Sequence, residues 1–162
     1  MGVSVHFKVL YGAKSSSPAR AYLLNVDGFC FLLDCGWTAA FDPATVVEPL
    51  RAHMPFVHAV LLSHSDIHHL GALPLAFAHL GLPHDTPVFA TLPVWRMGQM
   101  ALYDAYQSVS AQRRCGAFNL DDVDAAFEAR GENARFHLLK YQQHCPLDQP
   151  GLLRGDDDAR TT

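Results

Sequence analysis

A mixed α/β fold is predicted for this 162-residue chain by three features. Short apolar runs recur along it, two of them are joined by Asp27-Gly28, and segments with helical apolar spacing separate the later ones. Val3, Val5, Phe7 and Val9 alternate with small or polar residues, so Val3 to Leu10 is expected to form a half-buried strand. Tyr11 to Arg20, with Gly12, three serines and Pro18, has loop chemistry. Ala21 to Val26 and Phe29 to Leu33 are expected to pair as a hairpin, because Asp-Gly suits a tight turn in which both central residues need positive φ. Pro43 can open a helix running to His53, with Val46, Val47 and Leu50 on one face. His58 to Leu62 is long enough for a buried strand and too short for a helix. Leu70, Leu73, Phe77 and Leu80 have helical spacing and stop at Gly81. Pro87 to Thr91 is a further strand, Pro93 starts a longer helix bearing Val94, Met97, Ala101 and Ala105, and Asp121 to Arg130 begins with acids suited to a helix N-terminus. From Tyr141 the apolar periodicity ends, and residues 142–162, with Asp156, Asp157 and Asp158, are expected to be a disordered acidic tail. No internal repeat is found.

Composition narrows the function. Twelve Lys and Arg against sixteen Asp and Glu give a net charge of −4, and 49% of residues are hydrophobic against 17% charged. That is the balance of a globular domain, neither a basic nucleic-acid binder nor an acidic disordered chain. No apolar run approaches the roughly 18 residues of a membrane span, and Met1 to Leu10 lacks the basic region and apolar block of a secretory signal. A cytosolic or nuclear home is expected, with Cys30, Cys35, Cys115 and Cys145 reduced, since no CxxC pair occurs. Ser15-Ser16-Ser17 lacks the glycines and lysine of a phosphate loop, and Arg113-Arg114 is too small a basic patch for a phosphate stripe. Met97 and Met100 are expected in the core. His6, His53, His58, His79, His84 and His137 are scattered singly and read as structural or surface residues.

Three of the ten histidines, His64, His68 and His69, lie within six residues, together with Asp66. They fall in Leu62-Ser63-His64-Ser65-Asp66-Ile67-His68-His69-Leu70-Gly71-Ala72-Leu73-Pro74, which joins a buried strand to a helix. Imidazole and carboxylate suit zinc or iron, and a loop at a strand end can converge such side chains. A bound ion there would lower the pKa of a water. The competing reading is a surface loop in which Asp66 caps the following helix. Composition and spacing leave both open.

The run Leu61-Leu62-Ser63-His64-x-Asp66-x-x-His69-Leu70-Gly71-Ala72-Leu73-Pro74 resembles the signature loop of the metallo-β-lactamase/β-CASP nucleases that process RNA 3′ ends, where active members read HxHxDH followed by GALP. Phe31-Leu32-Leu33-Asp34-Cys35-Gly36-Trp37 resembles the first motif of that fold. Met97-Gly98-Gln99-Met100, Tyr103-Asp104-x-Tyr106-Gln107-Ser108 and Leu120 to Phe127 are similar to a member whose loop is catalytically degenerate. The resemblance covers roughly Val3 to Tyr141. It implies the N-terminal portion of a metallo-β-lactamase αββα sandwich, incomplete, over residues 1–141. It also implies that Asp34 orients the histidine loop from behind; a turn-forming role before Gly36 would equally suit it.

Against that pattern, Asp66 stands at the second histidine and His68 at the aspartate, so only His64 and His69 keep the active arrangement. Metal–ligand distances tolerate only about 0.2 Å, and Asp and His differ in reach. The remaining ligands of the family lie downstream of the matched region, and His144, before Cys145-Pro146, does not match them. His64, Asp66, His68 and His69, backed by Asp34, are therefore expected to be a degenerate, non-functional metal site, with no cofactor and at most weak zinc. The resemblance implies a non-catalytic scaffold subunit of the nuclear pre-mRNA 3′-end cleavage and polyadenylation complex. Its partners would be an active nuclease paralogue and the other subunits, with RNA reached through the complex and no membrane. Two alternatives stand beside it: a zinc-dependent hydrolase or RNA endonuclease using the rearranged His64 to His69 loop, and a truncated product without independent function. A shortened transcript or gene model is the expected origin of the missing downstream motifs.

Overall fold

The computed structural model describes residues 2–13, 17–112, 115–129 and 134–145. Ser15, Ser16, Arg113, Arg114, Arg130 and residues 146–162, most of the expected acidic tail, lie outside them. Among the described residues, six strands form one sheet in the order in which they occur along the chain: β1 (Val5–Tyr11), β2 (Ala21–Val26), β3 (Phe29–Leu33), β4 (Ala59–Leu61), β5 (Val88–Thr91) and β6 (Phe136–Leu139). β1, β2 and β3 pair antiparallel, and β3 to β6 pair parallel. The β2–β3 turn has Asp27 at φ 50° and Gly28 at φ 90°, the double positive φ that an Asp-Gly hairpin requires. The Asp27 carboxylate also accepts from the Ser4 N–H at 2.7 Å, fastening the start of β1.

Among the described residues, five helices accompany the sheet: α1 (Val47–Arg51), α2 (Ile67–Leu70), α3 (Leu73–His79), α4 (Leu92–Gln112) and α5 (Leu120–Ala126). The expected helix from Pro43 to His53 is broken into a 3-10 turn at Pro43–Thr45, α1, and a second 3-10 turn at Met54–Phe56. Val46, at φ −127°, leaves the helical region between the first two, and Pro55 cannot donate to a continuing helix. The expected helix from Leu70 to Leu80 is two helices. Pro74 lacks the N–H that would have bonded the Leu70 carbonyl, so the chain turns at Gly71-Ala72 and restarts. Gly81, at φ 80°, follows it as anticipated. α5 opens one residue earlier than its acids suggest, on an Asn119/Asp122 capping box. β6 has no counterpart in the sequence reading: four residues paired with β5 alone carry too little periodicity to announce themselves.

The core lies on one face of the sheet. Leu23, Leu32, Val60, Val88, Ala90 and Phe136 point into it and meet Leu50, Leu70, Leu73, Leu102, Val123 and Phe127 of the helices, all buried. Leu62 and Phe77 are buried in the same cluster. Met97 and Met100 correct the expectation of burial: they are 59% and 69% exposed. The seam of α4 that faces inward runs through Trp95, Gly98, Leu102, Tyr106 and Val109, and both methionines fall outside that stripe. Gly98 sits in the seam because a Cβ there would lie 2.5 Å from the Leu70 side chain. Of the isolated histidines, His58 accepts at Nδ1 from the Cys30 N–H at 3.0 Å, and His53 Nε2 lies 2.7 Å from Lys8 Nζ.

The opposite face carries the register rows Val5–Val26–Phe29, Phe7–Leu24–Phe31 and Val9–Tyr22–Leu33. Val5, Phe7 and Val9 are 59%, 59% and 42% exposed. The described residues thus supply one sheet and one helix layer of the four layers expected of an αββα sandwich.

Candidate functional site

β3 and β4 run parallel, so their C-terminal ends, Leu33 and Leu61, deliver Asp34 and the histidine loop to the same edge of the sheet. Strand C-terminal ends are where open α/β sheets place ligands. The two segments are then laced together by backbone hydrogen bonds. Cys35 N–H donates to His69 O at 2.7 Å, Trp37 N–H to Ile67 O at 2.7 Å, Ala72 N–H to Cys35 O at 2.8 Å and Arg20 N–H to His68 O at 2.8 Å. This lacing needs a glycine: a Cβ on Gly36 would stand 1.6 Å from the His68 carbonyl oxygen. Tyr11 closes the arrangement, donating from its hydroxyl to Gly36 O at 2.8 Å, and burial, with the Cys35 thiol beside it, pushes the phenol far above its ordinary range.

Asp34 is 8% exposed and sits at φ 57°, a conformation that Asp tolerates better than most residues. Its carboxylate accepts from the Ser63 N–H at 2.8 Å and from Ser63 Oγ at 2.9 and 2.7 Å. Ser63 Oγ in turn lies 2.8 Å from His64 Nδ1. The hydroxyl has one proton and Asp34 claims it, so His64 Nδ1 must donate to the serine oxygen and leave Nε2 as the free lone pair. Asp34 therefore reaches His64 through Ser63. Sequence reasoning passed over Ser63; its place between a buried strand end and the first histidine was the only signal.

The four candidate ligands do not converge. The His64 and His69 rings lie side by side with centroids 4.4 Å apart. Asp66 caps α2, accepting from the His68 N–H at 2.9 Å, and both its oxygens also accept from His69 Nδ1, at 3.0 and 2.9 Å. Burial alone would raise the Asp66 carboxyl, but the His69 imidazole and the His68 N–H outweigh it and hold the group below its ordinary value. His68 turns away and donates from Nδ1 to the Trp37 carbonyl at 3.0 Å. His64 and His69 are the two imidazoles brought side by side, where a zinc site takes three or four protein ligands. Among the described residues, no three His, Cys, Asp or Glu side chains form a group that could hold a metal ion. These residues do not fit the metal centre that the loop resembles. Beside Asp34 and Ser63, a hollow of about 460 Å³ opens over the apolar sheet face, lined by Phe7, Tyr22, Leu33, Leu61 and Leu62.

Residues 23–153 match the metallo-β-lactamase superfamily domain. The chain belongs to the metallo-β-lactamase superfamily. Within that superfamily it is similar to the cleavage and polyadenylation specificity factor subunit 2 of Oryza sativa, at 48% identity over 151 residues, 93% of this chain and 19% of the relative. A probable subunit 2 of Drosophila melanogaster is 42% identical over 147 residues, 91% of this chain and 18% of the relative. A ribonuclease of Thermus thermophilus is 34% identical over 124 residues, 73% of this chain and 26% of the relative. The chain thus spans about a fifth of the length of the subunit 2 relatives. The similarity to subunit 2 at this level bears out the resemblance carried by the motifs along the sequence.

Proposed function

We propose that this metallo-β-lactamase sequence belongs to a non-catalytic subunit of a pre-mRNA 3′-end cleavage and polyadenylation complex, acting in the nucleus as a scaffold beside an active nuclease paralogue. Residues 1–141 would be the first part of its domain. The observation that carries the reading is the employment of Asp66: its carboxylate caps α2 and holds His69, so it is not free to ligate. With no three candidate ligands grouped among the described residues, the in-line displacement that a pair of metal ions supports finds no clamp there. The names of the subunit 2 relatives, at 42% and 48% identity, supply the complex. The similarity to a ribonuclease at 34% identity keeps a second reading, zinc-dependent RNA cleavage by the rearranged loop, open to the same experiment. Labelled pre-mRNA incubated with the chain and added zinc should remain intact. Cleavage that disappears in His64→Ala would replace the scaffold reading with the second. Co-precipitation of the active nuclease paralogue with the tagged chain from nuclear extract tests the scaffold half.

A further inference from the structure

Away from the histidine loop, a second imidazole is paired with a nucleophile. His53 Nε2 lies 2.7 Å from Lys8 Nζ, joining β1 to the end of α1. We propose that this pair is a modification site, at which Lys8 is acylated directly by acyl thioesters with His53 as the general base.

The placement of the pair suits that chemistry. Lys8 stands opposite Leu23 in the β1–β2 register, and Leu23 is buried in the core. Lys8 therefore projects on the helix side of the sheet, from a strand at the sheet's edge. It is exposed, so a thioester in solution can reach its amine, whereas His53, where a 3-10 turn follows α1, is half-buried and its ring is held. An ammonium can only donate, so Nε2 must carry the lone pair and the ring proton must sit on Nδ1. Nδ1 is buried and finds no hydrogen-bond partner among the described residues. An unpaired buried polar group is uncommon in folded proteins, and a chemical role is one of its explanations. Among the described residues no carboxylate pairs with Lys8, so the imidazole has no competitor for the amine.

Lysine amines are mostly protonated at neutral pH and attack only as the free base. In that form the Nζ lone pair bonds to the thioester carbonyl carbon, and the carbonyl π pair moves to oxygen. The N–H that faces His53 then passes its proton to Nε2, a transfer for which the separation is already within the reach of a general base. The carbonyl re-forms, the C–S bond breaks with its electron pair on sulfur, and the imidazolium gives its proton to the departing thiolate. The products are an amide at Lys8, a free thiol and neutral His53. No oxidant or reductant is needed. Acylation removes the Lys8 charge, so the amide makes a weaker hydrogen bond to His53 than the ammonium did.

The full chain incubated with acetyl-coenzyme A, in the presence of a free lysine derivative blocked at its α-amine, tests the proposal by mass spectrometry of peptides that separate Lys8 from Lys14 and Lys140. A positioned general base typically contributes about 10²–10⁴-fold, and for an amine on a flexible side chain the expected gain is at least about tenfold over the blocked lysine. His53→Gln keeps an acceptor for Lys8 but cannot take up its proton, and should bring Lys8 down to the rate of the blocked lysine. Far-UV circular dichroism checks the fold of that variant, and His53→Asn serves if it is unfolded. A Lys8 rate in the parent no higher than that of the blocked lysine would overturn the proposal without any variant. So would a fast Lys8 that is indifferent to the loss of the imidazole.

Discussion

Substituting Gly36 by alanine should be one of the most damaging single changes in this protein, though it adds one methyl group. The new Cβ would lie 1.6 Å from the His68 carbonyl oxygen, 2.3 Å from its carbon and 2.9 Å from the Arg20 nitrogen. All three are backbone atoms, so no side chain can swing aside and the histidine loop must move away from the end of β3. Overpacking alone costs about 1–3 kcal/mol. The movement also threatens four backbone hydrogen bonds, Cys35 to His69, Trp37 to Ile67, Arg20 to His68 and Gly36 to Arg20. If two are lost at about 1 kcal/mol each, the total is about 3–5 kcal/mol, against a typical stability of about 5–15 kcal/mol. Urea denaturation followed by tryptophan fluorescence reads it well, because Trp37 is fully buried in this loop. With a slope of about 2 kcal/mol per molar urea, the midpoint should fall by roughly 2 M. Gly116→Ala, where a Cβ meets nothing within 4 Å, should move it hardly at all. A Gly36→Ala midpoint within about 0.5 M of the parent would show that the loop is not laced to β3 as described.

Asp66→Ala should cost about 1 kcal/mol at neutral pH through loss of the α2 cap. Because the Asp66 carboxyl is depressed when folded, its contribution is present above the ordinary carboxyl value and fades as pH falls through the folded one. The difference between parent and variant in urea midpoint should therefore shrink toward about pH 3, and a difference that grows on acidification would contradict the hydrogen bonding. Calorimetric titration with zinc should reveal no tight site, since no three candidate ligands are grouped among the described residues; stoichiometric zinc that resists a mild chelator and is lost in His69→Ala would refute this. Of the four thiols, exposed Cys145 should react quickly with a disulfide reagent, while Cys35, buried and pushed up by that burial and by Asp34, should react only on unfolding.

Where local chemistry decides structure, the sequence could be read closely. Asp27-Gly28 turned where two positive φ values were needed, and β2 and β3 took the bounds their apolar runs suggested. Legibility failed where the decision was tertiary. Met97 and Met100 look like core residues by composition, yet the inward stripe of α4 is chosen by Gly98 meeting Leu70. β6 exists because β5 offers it an edge. In the candidate site, the four candidate ligands were visible as a cluster, but their employment was not. That Asp66 serves His69 and the α2 N-terminus, and that His68 serves Trp37, depends on how the chain between residues 34 and 37 lies against the loop. Spacing along the chain carries no record of that placement.

Each strand of the sheet hydrogen-bonds to the strand made just before it, from β1 through to β6. A chain leaving the ribosome at about 5–20 residues per second therefore delivers each strand after the edge that it joins. The hairpin of β2 and β3 can close first, and β4, β5 and β6 each find their template already made. Closures lengthen along the chain, from the two-residue turn between β2 and β3 to the connection from Thr91 to Phe136, so the last parallel pairing is the slow step.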